Sequence, residues 1–272
     1  MKIKRKAMAK QKILFINQEI SPYVAETNMS ILGRELPRAM QEAGHEIRTF
    51  MPKWGTINER RGQLHEVQRL SGMNLIIDDT DHPLIIKVAS IQSSRVAVYF
   101  IDNEDYFSKR QMMTDESGAD YPDNGERAIF FARGVLETVK KLRWVPDVIH
   151  CQGWMSAVVP LYVKTAYADE PSFADAKVVT SLFTRNLDKE LGQKFKQCLP
   201  FRDANPELLA PYNDNFDIKE LGKLAIDYSD GIIQSDQEVN EALLEYSKQK
   251  ALPFLPYTED FATAYEDFYE KL

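Results

Sequence analysis

KILFIN (12–17), a short continuous apolar run, constrains this chain more than any other feature, and PDVIHC (146–151), AKVVTSLF (176–183) and GIIQSD (231–236) read as further strands. A brief apolar run without polar alternation marks a strand buried on both faces, and a sheet is buried on both faces only when helices cover each side. Helical stretches do separate these runs. SILGRELPRAMQEAG places Ile31, Leu32, Leu36, Ala39 and Met40 at helical spacing, with Gly44 where a stop is expected. NGERAIFFARGVLETVKKLRW ends in basic residues that suit a helix C-terminus. WMSAVVPLYVKTAYA carries Pro160, which kinks the helix or lies near its start. FDIKELGKLAIDYSD and DQEVNEALLEYSK follow, the latter with Asp236 as the expected N-cap and Val239 as an apolar anchor. Alternating strands and helices predict an α/β doubly wound sheet.

One region breaks this rhythm. MNLIID, PLIIKVAS and RVAVYFID are three strand-like runs too close together for crossover helices, so an antiparallel or mixed insertion is expected there. Residues 102–125, rich in Asp, Ser, Gly and Pro, read as a long loop with at most one helical turn. Met112 and Met113 within it read as gap-fillers. The last stretch, TEDFATAYEDFYEKL, is amphipathic, with Phe261, Ala264, Tyr265, Phe268 and Leu272 on one face. That face needs a partner, either the domain itself or another chain.

Composition narrows the function. With 272 residues, 44% hydrophobic and 28% charged, the chain is too apolar for disorder. A net charge of −7 argues against a nucleic-acid or anionic-membrane protein. No window approaches the ~18 consecutive apolar residues of a membrane span. The basic start, MKIKRKAMAKQK, is followed by an apolar run too short for a signal peptide, so residues 1–11 are expected to be a frayed leader and the location cytoplasmic. Cys151 and Cys198 are the only cysteines, which suggests a reducing compartment and leaves a single disulfide open.

No GxGxxG, P-loop, GxSxG or HExxH pattern occurs, and no cofactor is expected. His45, His65, His82 and His150 show no metal-ligand spacing. His150 and Cys151 are adjacent on a strand and point to opposite faces, and no metal site is expected in the chain. Ligands of open α/β sheets bind beyond the carboxyl ends of the strands, which singles out loops 18–29, 151–156 and 184–190.

Those loops and their flanks carry a resemblance. KILFINQEISPYVAETNMSILGRELPRAMQEAGHEIRTFMPKWG resembles the opening of the bacterial and plant glycogen/starch synthases: strand, E-x-x-P turn, KTGGL phosphate loop, helix ending in LP, then G-H-x-V…P. Glu19, Pro22, Leu36, Pro37, Gly44, His45 and Pro52 fall into that pattern. DNGERAIFFARGVLE is similar to the family's "DN..RF..F" helix through Asp123, Asn124 and Arg127. PDVIHCQGWMSAVVPLYVK resembles its PD-(V/I)-(I/V)-H-x-(H/N)-D-W-H segment, VVTSLFTRNLDKELG its TIHNLAYQG, and AIDYSDGIIQSD its (L/I)xYAD strand. The match covers most of residues 12–248 in order. It implies a Rossmann-like doubly wound sheet, the N-terminal half of a two-domain retaining glucosyltransferase fold. The family transfers glucose from ADP-glucose to an α-1,4-glucan.

Departures from the pattern are equally informative. The family's KTGG is Ala25-Glu26-Thr27-Asn28, which removes a phosphate-binding cation and adds an anion. Each change should cost on the order of 1–3 kcal/mol of phosphate binding. Met155 stands where the family has a sugar-facing histidine, and Arg185 replaces a second one. No catalytic residue is therefore assigned, the family positions being altered at Ala25, Asn28, Met155 and Arg185. The expected ligand-binding set is Glu19, Asp123, Asn124, Trp154, Arg185 and Asn186. Each has a plainer role too. Trp154 suits a core. Asp123, Asn124 and Arg127 suit a helix cap with its ion pair, Glu19 a loop carboxylate, and Arg185 a surface ion pair or an anion site.

The resemblance thus implies a glycogen/starch synthase-type N-terminal domain over 12–248. A linker and helix over 249–272 would pack back on it, because the family's chain returns at its end to the first domain. Glucosyl transfer by these residues alone would be weak or absent. The alternative is a non-catalytic regulatory or scaffold protein that binds a glucan, a nucleotide sugar or a partner glycosyltransferase chain. ADP-glucose or glucan, a second glycosyltransferase chain and a second copy of this chain are the expected partners.

Overall fold

The structure, a computed structural model, describes residues 9–92, 94–183, 191–192 and 194–272. Its strands are β1 (Lys12–Asn17), β2 (Glu46–Pro52), β3 (His65–Glu66), β4 (Met73–Ile77), β5 (Thr80–Ser90), β6 (Ala97–Asp102), β7 (Val148–Gln152), β8 (Lys177–Leu182), β9 (Gly231–Gln234) and β10 (Phe254–Leu255). Among the described residues, six helices have six residues or more: α1 (Asn28–Glu42), α2 (Asn124–Lys141), α3 (Val159–Lys164), α4 (Ile218–Asp227), α5 (Glu241–Gln249) and α6 (Phe261–Glu270).

The strands form one sheet in the order β10-β9-β8-β7-β1-β2-β6-β5-β3, with β4 hydrogen-bonded to β5. From β10 to β6 every pairing is parallel. The β4–β5 and β5–β6 pairings are antiparallel, as the crowded strand-like runs predict. The sheet is therefore mixed and α/β. Side chains alternate across it with the period of two that a strand imposes. Ile13 and Phe15 face a cluster with Leu36, Met40, Tyr265 and Phe268. Leu14 and Ile16 face the opposite, larger cluster with Phe130, Phe131 and Val135 of α2. Both faces of β1 are buried, which is why its sequence is apolar throughout.

Local signals position the helices. Thr27 caps α1: its hydroxyl accepts from the Ser30 N–H at 3.0 Å, and the Ser30 hydroxyl accepts from the Thr27 N–H at 2.8 Å. Gly44 follows the helix end, its N–H bonding the Gln41 carbonyl. Pro160 lies in the first turn of α3, after a short 3-10 turn at Trp154–Ser156. The expected cap of α5 needs correction. Asn240 caps that helix, accepting from Leu243 N–H at 3.2 Å. Asp236 instead accepts from the Asn28 amide at 3.0 Å, so a partner 208 residues away claims the carboxylate.

The terminal helix α6 lies on the sheet face that carries α1. His45 accepts from the Gln11 N–H through Nδ1, leaving Nε2 to donate to Glu266 at 3.1 Å. Tyr265, Phe268 and Tyr269 are its buried residues. No helix among the described residues is long and apolar enough to cross a membrane.

Candidate functional site

The carboxyl ends of β1, β7 and β8 lie side by side, because β1 pairs with β7 and β7 with β8. Two glycines set how closely the neighbouring loops approach. A Cβ on Gly33 would stand 2.4 Å from the Glu19 carbonyl oxygen, so glycine lets α1 lie against the loop after β1. Gly153 has φ +86° and ψ 165°, and a Cβ there would meet the Gln18 side chain at 2.6 Å. Both backbone and space demand glycine at the end of β7. The Gln18 N–H, in turn, donates to the Gln152 carbonyl at 3.0 Å.

Glu19 is buried beside the start of α1. Its carboxylate accepts from the Gln18 amide at 3.0 Å and from the Thr27 hydroxyl at 2.7 Å. Ala25 and Glu26 are exposed just before that helix. Arg34 reaches back to Glu26 at 3.5 Å and to the Ser21 hydroxyl at 2.9 Å. The mouth of α1, where the resemblance places a phosphate loop, is thus occupied by the chain's own carboxylates and cap.

An open pocket lies over the ends of β1, β7 and β8. Gln18, Trp154 and Ser181 contribute to its wall from the strand ends, and Leu221 and Leu243 close it from α4 and α5. None of the described residues lining it is charged. Buried polar groups crowd the sheet beside it. Both amide atoms of Asn17 and of Gln152, Oε1 of Gln18 and Nε1 of Trp154 are buried without a hydrogen-bond partner among the described residues. Asn17 and Gln152 are register neighbours on β1 and β7. Unsatisfied buried groups call for water or a ligand, and these supply both donors and acceptors.

The predicted residues separate into groups. Glu19 and Trp154 reach the same strand ends. Asp123 and Asn124 are committed to the loop over 103–123. Arg110 pairs with both oxygens of Asp123. Asn124 donates to the Met113 carbonyl at 2.9 Å and accepts from Arg127 at 2.7 Å. Arg127 is fully buried and also donates to the Tyr106, Gln111 and Met112 carbonyls. Burial pushes its guanidinium down to about 9, still a cation at neutral pH. Met155 is wholly buried, in the larger core cluster. Asn28 turns its amide to Asp236. Arg185, Asn186 and Lys189, in the expected loop 184–190, lie outside the described residues.

A polar chain behind the pocket was not anticipated. The fully buried His150 ring lies 2.6 Å from the Tyr269 hydroxyl and 2.6 Å from that of Ser181. Ser235 donates to Ser181 at 2.7 Å and lies 2.8 Å from the Tyr265 hydroxyl. Ser181 belongs both to this chain and to the pocket wall, so α6 is linked to the site. Burial drives His150 down to about 3 and keeps it neutral. The sequence signal was present, since Tyr265 and Tyr269 are one helical turn apart, but their partners lie on other elements.

Residues 12–252 match the starch synthase catalytic domain. The chain belongs to that family. The glycogen synthase of Chlorobium limicola is 41% identical over 172 residues, which are 63% of this chain and 35% of that protein. The glycogen synthase of Pelodictyon phaeoclathratiforme is 39% identical over the same extent. The chain thus spans about a third of the length of the curated relatives it matches. Among solved structures, the catalytic domain of starch synthase IV from Arabidopsis thaliana, bound to ADP and acarbose, superimposes with a TM-score of 0.66. It covers 91% of this chain and 51% of that one at 17% identity, a likeness of fold. The α/β fold, the glycogen/starch synthase family and the N-terminal extent expected from the sequence all agree with these findings.

Proposed function

We propose that this chain is a sugar-binding module of the glycogen/starch synthase type, with weak or absent glucosyl transfer by these 272 residues alone. It takes a glucan, or the sugar portion of a nucleotide sugar such as ADP-glucose, at the strand-end pocket. Among the described residues the pocket lining carries no charge and offers the polar side chains of Gln18, Ser181 and Asn240, with the unpartnered amides of Asn17 and Gln152 buried beside it; this supports the reading. Sugar hydroxyls can pair with those polar groups and a sugar face can lie on the apolar part of the wall. At the mouth of α1, Ala25 and Glu26 replace a cation by an anion, which supports weak phosphate binding. Glu19 and Trp154 belong to the proposed binding set. Asp123 and Asn124 hold the neighbouring loop, and Arg185 with Asn186 supplies any contact to phosphate.

Thermal unfolding with a maltooligosaccharide, ADP or ADP-glucose tests this, alongside an assay of glucose incorporation into a glucan primer. A ligand at 100 times its Kd adds about 2.7 kcal/mol of stability. The maltooligosaccharide is expected to give such a shift. ADP should give a smaller one that Arg185→Ala abolishes. Incorporation near one glucose per second, or a shift with ADP alone, overturns the reading.

A further inference from the structure

We propose that Asp78, Glu126 and Cys198 bind one divalent transition-metal ion of the zinc type. The three come from separate parts of the fold: the β4–β5 turn, the first turn of α2, and the short helix Phe195–Cys198. One donor atom from each lies within 4.8 Å of the other two. Glu126 gives the second, independent indication of a ligand. It is only 8% exposed, and its Oε2 is buried without a hydrogen-bond partner among the described residues. A buried carboxylate needs a proton, a donor or a cation.

The surroundings set the charge. Among the described residues, Lys194 is the cation in contact with the cluster, 3.0 Å from Asp78 Oδ2, and its side chain is 65% exposed at the rim. Asp79 adds negative charge beside Cys198, while Asp123, near Glu126, is paired with Arg110. Among the described residues, one rim ammonium therefore faces two carboxylates and a thiol, and the cluster favours a further cation. Sulfur among the donors selects a borderline metal over calcium or magnesium. Zinc takes sulfur at about 2.3 Å and carboxylate oxygen at about 2.0–2.2 Å, so the donors need to close by about 1 Å. Three protein donors leave one tetrahedral position to solvent. The ion would fasten the segment after β8, already tied to α2 by the bond from the Gly125 N–H to the Leu191 carbonyl at 2.9 Å.

The test is titration of the reduced, full chain with Co²⁺, followed by Zn²⁺. One equivalent of Co²⁺ should give tetrahedral visible bands and a thiolate-to-metal charge-transfer band, both erased by Zn²⁺. Cys198→Ser should lose the charge-transfer band, and Glu126→Gln should weaken Co²⁺ affinity by about tenfold or more. Should Cys198→Ser fail to fold, Glu126→Gln and the parent titration decide the matter. An octahedral Co²⁺ spectrum, no uptake, or uptake that neither substitution alters overturns the proposal.

Discussion

Gly153 is where a single methyl group does most harm. Its backbone lies in a region open almost only to glycine, and the atom that an added Cβ meets first is the Gln18 Cβ, which cannot swing away. Gly153→Ala should cost about 2–4 kcal/mol in urea unfolding; an unchanged midpoint would show that the loop relaxes freely. Arg127 is the second sensitive point. Its fork ties three loop carbonyls and Asn124 together. Arg127→Lys keeps the charge but cannot span those acceptors, and a loss of about 2–4 kcal/mol is expected. Sequence reading of this stretch foresaw a cap and an ion pair. The pair exists, but it joins Asp123 to Arg110, and Asp123 makes no side-chain cap bond. Arg110 lies 13 residues earlier in an irregular loop, where no helical or strand period points to it.

At the scale of elements, α6 shows what periodicity reveals and what it hides. The amphipathic face at Phe261, Tyr265 and Phe268 was legible because helical spacing is local. Tyr269 and its bond to His150 were not, since that pair is 119 residues apart. Tyr269→Phe removes the hydroxyl and leaves one ring nitrogen of His150 without a partner. A destabilisation of about 1–3 kcal/mol should appear in urea melts. The same ring makes stability fall with acid. In the unfolded chain His150 takes a proton below its ordinary 6.5, whereas in the fold burial delays this to about 3. The unfolded state therefore binds more protons between these values, and this contribution is complete above pH 6.5 and drains as the pH drops. By pH 5 the loss is about 2 kcal/mol. His150→Gln should flatten the stability profile between pH 7 and pH 5 by that amount; an identical slope in both proteins would exclude the histidine as its source.

For the whole molecule, β1, β7, β8 and β9 were legible as strands, β1 above all because burial on both faces leaves an apolar run, whereas β10 was not: Phe254 and Leu255 fall in the expected linker, yet they pair parallel with β9. The family resemblance added the strand-end loops. Contacts that join distant segments were not legible: Asn28 with Asp236, and the Asp78, Glu126 and Cys198 cluster. The distribution of charge governs the last prediction. The chain carries −7 overall, and Glu19, Glu26 and Asp236 surround the start of α1, with Arg34 as the compensating side chain that reaches Glu26. Ala25 and Glu26 are exposed, so changing them should disturb the fold by less than about 0.5 kcal/mol. Ala25→Lys with Glu26→Gln adds a cation and removes an anion where a diphosphate would approach the helix mouth. Each new favourable term of about 1.4 kcal/mol is a tenfold gain, so ADP affinity by calorimetry should rise about 10- to 100-fold. Maltooligosaccharide affinity should stay as it was, because the pocket wall is untouched. If ADP binds the double variant no better than the parent, phosphates do not approach this helix, and the likeness to the family's phosphate loop ends at its shape.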